Sequence, residues 1–292
     1  PAAPSGNLFF DDGERIFPEF LKLMLADYYV AQDRPSDAAR VLDPLVRSAG
    51  GSSGAEVRLA QLAYSETRTT EAHAALDRVL TRDPRNALAL MTKARWLYAE
   101  GNTAEALRRS SEAAAADRES APAHYLHGAM RLASGQYPEA ADAFRETLRL
   151  NPRAASAQVQ LSKLTLLQGD SAAAVQYAQE ASKNAPGNPI TRVNLAHALL
   201  AQGQTARAEV EITALVKDYP DATPVRVLNG ALKAARKDFS GARGEYERAL
   251  QLDANSLEAL AGLVALDLSQ ENVAAARARV ETRLAVQPDR SD

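Results

Sequence analysis

The chain contains no cysteine in 292 residues. Disulfides, thiol nucleophiles and cysteine-held metals are therefore excluded. Aromatic residues are few, at 5 %. The 46 % hydrophobic content coexists with a mean hydropathy of -0.30 because much of it is alanine. Small apolar side chains suit close helix-on-helix packing. No stretch approaches the roughly 20 apolar residues of a membrane helix. Neither sign of charge dominates: 34 basic and 37 acidic residues give a net -3, without a long run of either. A basic stripe, the usual footprint of nucleic-acid binding, is missing, and nothing favours an anionic membrane surface. No P-loop glycine motif and no Gly-x-Ser-x-Gly elbow is present.

What the chain has is a period. Pro84, Pro152, Pro186, Pro220 and Pro288 fall on one 34-residue interval. Arg118 and Ala254 fill the skipped steps, and Gly50 lies one step before Pro84. Such a period means repeated copies of one supersecondary unit. With the proline column set as position 32, eight frames begin at Glu19, Ser53, Ala87, Ala121, Ala155, Pro189, Thr223 and Leu257. Position 20 is alanine in all eight, from Ala38 to Ala276. Position 8 is small in seven, and only Val264 breaks that column. Two small columns twelve residues apart are what two closely crossing helices need, since a larger residue there would overpack the contact. Position 15 is glycine in four frames, Gly101, Gly135, Gly169 and Gly203, which suits a left-handed turn after a helix. Each frame thus reads as helix A over positions 1 to 14, a tight turn, and helix B over positions 17 to 30. Proline at position 32 breaks the chain before the next helix A. Apolar columns at positions 5, 10 and 12 are expected to carry the helix-A packing.

The motif of small-8, Gly-15, Ala-20, small-27 and Pro-32 is clearest as Gly128, Gly135, Ala140, Thr147 and Pro152. This pattern resembles the tetratricopeptide repeat family over about residues 19–290. The departures are at position 4, often aromatic in the family but here Glu56, Leu90, His124, Gln158, Arg192 and Arg226, and at position 11, where only Tyr29 keeps a tyrosine. The resemblance implies an all-α solenoid, a right-handed superhelix of helix hairpins with a concave face lined by the A helices. The expected organisation is a lead over 1–18, eight repeats over 19–290 and a tail at 291–292.

The resemblance also implies a non-enzymatic scaffold for a protein or peptide partner, without cofactor or metal. Family peptides contact helix-A positions 2, 5, 6, 9, 12 and 13. Carried onto this chain, those positions offer Tyr64, Arg95, Tyr98, Tyr125, Lys163, Leu167, Asn194 and His197. Tyr125 also fits a core role, because position 5 is apolar in the other frames. Arg95 and Lys163 equally fit solvated surface charges. The clamp for chaperone C-termini is excluded, since it uses Lys at position 5 and Asn at position 9, and neither occurs here. His124 and His127 stand three apart on one helix, but no third ligand completes a metal site.

Repeat arrays need polar end units. Arg283 is the one charged residue at position 27. At the front, residues 7–18 mix Leu8, Phe9, Phe10, Ile16 and Phe17 with acids and are expected to fold onto the first hairpin. The opening PAAPSG reads as a flexible lead, fitting a processed protein or a trimmed fragment. The alanine- and arginine-rich repeats resemble bacterial members of the family that accompany exopolysaccharide export or envelope assembly. That suggests the envelope or periplasm, with the cytoplasm as alternative. Two other readings stay open: a module of a larger protein, and a homo-oligomer formed by self-association.

Overall fold

The structure, a computed structural model, describes residues 19–48 and 51–286. The expected lead over 1–18 and tail at 291–292 lie outside the described residues. Among the latter are sixteen helices and no strand. The odd-numbered A helices are α1 (Glu19–Ala31), α3 (Ser53–Ser65), α5 (Ala87–Ala99), α7 (Ala121–Ala133), α9 (Ala155–Leu167), α11 (Pro189–Ala201), α13 (Thr223–Ala235) and α15 (Leu257–Ser269). The B helices are α2 (Pro35–Arg47), α4 (Thr69–Arg82), α6 (Thr103–Ala116), α8 (Tyr137–Leu150), α10 (Ser171–Asn184), α12 (Thr205–Asp218), α14 (Phe239–Leu252) and α16 (Val273–Val286). The chain forms two compact units, one ending at Gln136 and one beginning at Tyr137.

Local chemistry sets the helix ends. Ser52, Asn86, Ser120, Asn188 and Ser256 cap A helices with their side-chain oxygens, and Asn102, Asp170 and Asp238 cap B helices. Each satisfies a backbone N–H that the first helical turn leaves unpaired. The turn inside each described hairpin uses a left-handed residue at position 15. Gly101, Gly135, Gly169 and Gly203 take φ of 71 to 83°, and Asp33, Thr67, Lys237 and Glu271 take φ of 55 to 64°. Glycine adopts this conformation freely, whereas the other four side chains are strained there.

The alanine at position 20 is buried in all eight B helices. In the hairpins that lie within one unit it lets helix B lie close against helix A. In the first unit, α1/α2, α3/α4 and α5/α6 are hairpins, and α7 packs on α6. In the second, α8 packs on α9, followed by hairpins α9/α10, α11/α12, α13/α14 and α15/α16.

Successive hairpins join through a recurring seam. The residue at position 24 of helix B meets positions 3 and 10 of the next helix A. Leu42 packs with Ala55 and Leu62, Leu76 with Ala89 and Trp96, and Ile212 with Val225 and Leu232. Each fully buried leucine or isoleucine here contributes about 1.5–3 kcal/mol. The sequence pointed to positions 5, 10 and 12. Position 10 carries the seam, position 5 is buried at Val57 and Val159, and position 12 packs against the core at Tyr64, Leu166 and Leu200 while standing exposed at Val30, Tyr98 and Leu268; position 3 is a further packing column.

Position 4 does different work from an aromatic. Arg82 on α4 donates to Glu56 (2.6 Å), Asn184 on α10 donates to Gln158 (3.0 Å), and Arg192 donates to Asp218 on α12 (3.1 Å). Positions 4 and 30 of one hairpin are thus latched by polar contacts. Gln158, His124 and Arg226 also reach back to the carbonyls of Pro152, Arg118 and Pro220.

Candidate functional site

The eight residues expected to meet a partner divide equally between the two units. Tyr64, Arg95, Tyr98 and Tyr125 lie in the first, on α3, α5 and α7. Lys163, Leu167, Asn194 and His197 lie in the second, on α9 and α11. Within each unit neighbouring A helices touch: α3 with α5, α5 with α7, and α9 with α11, α11 with α13, α13 with α15.

In the first unit, Tyr64 is half-buried. Its ring stacks on Trp96 with centroids 4.2 Å apart and planes 4° from parallel. Its hydroxyl donates to Glu100 Oε1 at 3.1 Å, and His73 Nε2 lies 2.9 Å from the same oxygen. The His73 ring stands edge-on to both aromatics. Burial, and then the Glu100 carboxylate, raise the Tyr64 pKa. Tyr64 therefore holds two hairpins together. Arg95 is exposed, and no carboxylate pairs with it among the described residues. Tyr98, one turn along α5, is exposed too. Tyr125 is half-buried on α7. Lys93 differs from Arg95 in both respects, being buried and bonded to Asp77.

In the second unit, Lys163 and His197 occupy position 9 of adjacent A helices, and both are exposed. The His197 ring reaches solvent, yet its pKa is lowered. Surrounding protein is the main cause, the charge of Lys163 adds to it, and Glu258 on α15 opposes it. Leu167 is largely exposed at the end of α9. Asn194 is only 3 % exposed, and neither carboxamide atom has a hydrogen-bond partner among the described residues. A buried unpaired amide costs about 1–3 kcal/mol.

The two closely spaced histidines are engaged separately. His124 Nε2 meets the Arg118 carbonyl at 3.1 Å. His127 Nδ1 lies 3.2 Å from Ser110 Oγ, and its Nε2 accepts from Arg131 at 3.2 Å. Burial, Arg131 and His124 together lower the His127 pKa to about 4. No helix among the described residues is long and apolar enough to cross a membrane.

One cluster carried no signal in the sequence. Asp267, 1 % exposed on α15, faces Arg243 of α14 at 2.8 Å and Arg279 of α16 at 2.7 Å. Burial alone would raise its pKa, but hydrogen bonds and charge from Arg279 and Arg243 outweigh it and hold the carboxyl below its ordinary value. An aspartate at position 11 among alanine-rich frames gives no hint of two arginines on flanking helices.

These hairpins, joined by one recurring seam, define a helical-repeat protein of the solenoid class. Sequence models described as tetratricopeptide repeat match residues 63–130 and 165–232, and another matches 125–189. Together they cover more than half of the chain, which belongs to the tetratricopeptide repeat family. No curated protein matches the chain significantly. Among solved structures, the Cut9–Hcn1 hetero-tetramer of APC/C aligns over 94 % of this chain and 54 % of its own, with TM-score 0.64 and 15 % identity. YrrB, described as a repeat protein of this family with an unusual peptide-binding site, aligns over 64 % of this chain and 96 % of its own, with TM-score 0.51 and 19 % identity. PilW, a type IV pilus biogenesis factor, aligns over 70 % and 95 %, with TM-score 0.57 and 16 % identity. At these identities the likeness concerns the fold. Membership of this family makes the chain a protein–protein interaction scaffold, and the family is generally non-catalytic.

Proposed function

We propose that the chain is non-catalytic and holds an extended, acid-containing peptide segment of a partner protein on its exposed A-helix faces. The observation that carries this is the Lys163–His197 pair. Both side chains are open to water on adjacent helices, and no carboxylate pairs with Lys163 among the described residues. Many other surface cations here are paired with nearby acids, as Arg108 is with Glu105 and Glu112. An unpaired cation open to water attracts an incoming anion. In the first unit, Arg95 and Tyr98 offer the same combination of unpaired cation and exposed ring, the residue types enriched at binding hot spots. Asn194 and Leu167 serve as a secondary amide contact and an apolar contact, and Tyr125 as a neighbouring wall. Tyr64 supports from behind. A place in a bacterial envelope or secretion assembly is the setting we favour. It is supported by the character of the repeats and by the pilus-factor fold likeness.

The test is selection from a displayed random peptide library on the intact chain, followed by binding of the selected peptides to Lys163→Glu and Arg95→Glu variants. Acid-rich peptides that lose at least about tenfold in affinity on one variant support the reading. Peptides without acidic residues, or unchanged affinity for both variants, overturn it.

A further inference from the structure

Hairpin α3/α4 leaves open a slot that other hairpins fill. In α13/α14 and α15/α16 the side chains at positions 11 and 23 meet across the hairpin. Lys233 pairs with Glu245 at 2.7 Å, and Asp267 pairs with Arg279 at 2.7 Å. The same two positions hold Leu97 and Arg109 in α5/α6, and Thr165 and Tyr177 in α9/α10. Of the eight frames, only α3/α4 has alanine at both, Ala63 and Ala75.

The result is a cavity of about 510 Å³, within the size range of small-molecule sites. It lies wholly in the first unit, where α3 packs against both α2 and α4. Leu59, Ala60 and Ala63 of α3 form its floor, with Val46 of α2 and Ala75 of α4 at its sides. These side chains offer no hydrogen-bond donor or acceptor. Such a lining suits a hydrocarbon body and penalises the polar backbone of a peptide.

The polar groups of the cavity are unevenly placed. Arg78, Thr81 and Arg82 stand within one turn of each other on α4 and line one end. Both carboxylates of the lining are already engaged, Glu56 by Arg82 at 2.6 Å and Glu71 by Arg68 at 2.7 Å. Arg78 is exposed, and no carboxylate pairs with it among the described residues. The charge left over at the mouth is therefore positive, and it attracts an anion. A cationic ligand would meet Arg78 and find no free carboxylate.

We propose that this cavity binds a small anionic amphiphile, with its hydrocarbon body in the slot between Ala63 and Ala75 and its acid head on Arg78. The site lies apart from Arg95 and Lys163, which are on α5 and α9. It therefore goes beyond the peptide-holding reading and stands independently of it.

The experiment uses the whole 292-residue chain and isothermal titration calorimetry with decanoate, and with decanol as its neutral counterpart. The variants are Ala75→Leu, which fills the slot, and Arg78→Gln, which removes the charge. Helix content by circular dichroism confirms folding. Should Ala75→Leu misfold, Arg78→Gln still decides, because that side chain is exposed. The expected result is one decanoate site in the wild type, tighter than any for decanol. Ala75→Leu should weaken decanoate at least about tenfold. Arg78→Gln should weaken decanoate by about three- to fivefold and leave decanol unchanged. Absence of saturable decanoate binding overturns the proposal. So does binding that a folded Ala75→Leu variant leaves intact. Decanol binding as tightly as decanoate, or decanoate binding indifferent to Arg78→Gln, overturns it as well.

Discussion

The ring of Tyr246 lies against the backbone of Gly262 so closely that a Cβ there would stand 2.5 Å from ring carbons. The same ring approaches Gly230 on α13, where a Cβ would meet it at 2.7 Å. One tyrosine on α14 is thus wedged between two A helices, and it is buried. Replacing a helical glycine by alanine ordinarily gains up to about 1 kcal/mol. Here a rigid buried ring must move, which costs about 1–3 kcal/mol. Gly262→Ala should therefore destabilise the chain in urea unfolding. Gly244→Ala, on α14 with no atom within 4 Å of its would-be Cβ, should stabilise by about 0.5–1 kcal/mol. Equal effects at the two sites would show that the ring does not set the cost.

Asp267 joins three helices through Arg243 and Arg279. Its folded pKa lies below the unfolded value. The unfolded chain therefore binds the proton first as pH falls. The stabilisation is complete above the unfolded pKa of about 3.9 and is lost as pH drops through the folded value. Asp267→Asn should cost about 2 kcal/mol at neutral pH, in the range for hydrogen bonds to charged groups. The difference from wild type should shrink below pH of about 4. A constant difference across that range would show that the carboxylate charge is not what matters.

His127 works in the same direction along the pH scale, but in a higher window. Its folded pKa is about 4 against an ordinary 6.5. Between those values the unfolded chain takes up a proton that the folded chain refuses, so stability falls as pH falls. Above pH of about 6.5 the contribution is fully present. With the ring only partly covered, the loss is on the order of 1–2 kcal/mol. His127→Gln, which cannot titrate, should flatten unfolding midpoints across this window. A step of unchanged size in the variant would assign the effect to another group.

Much of the fold was legible because its tightest contacts admit few residue types. The crossing of each hairpin tolerates only small side chains, so position 20 is alanine eight times over and the period stands out. The turn at position 15 needs a left-handed residue, which four glycines announce and Thr67 or Lys237 conceal. Position 3 was hidden because alanine there looks like alanine anywhere in an alanine-rich helix. The site was legible only as a helix face. Asn194 shares the register of a partner-facing position, yet its burial depends on side chains of neighbouring helices that register does not encode. The Tyr246 wedge needs glycines from two different hairpins, and a column-by-column reading does not pair them.

Tyr64 separates a packing role from a binding role, because Trp96 is the only tryptophan in the chain and reports directly on it. The two rings are stacked, and the tyrosine covers one face of the indole. An aromatic pair contributes about 0.5–1.5 kcal/mol beyond the area it buries. Tyr64→Phe keeps the ring and loses only the hydroxyl contact to Glu100, a cost of about 0.5–1 kcal/mol. Tyr64→Ala removes the ring and should cost about 2–3 kcal/mol, below the range for fully buried aromatics because Tyr64 is half-exposed. Its indole emission should shift to the red as water reaches Trp96, while that of Tyr64→Phe stays put. If Tyr64 instead served a partner and carried no packing, both variants would keep the wild-type emission and unfolding midpoint, and only affinity would change.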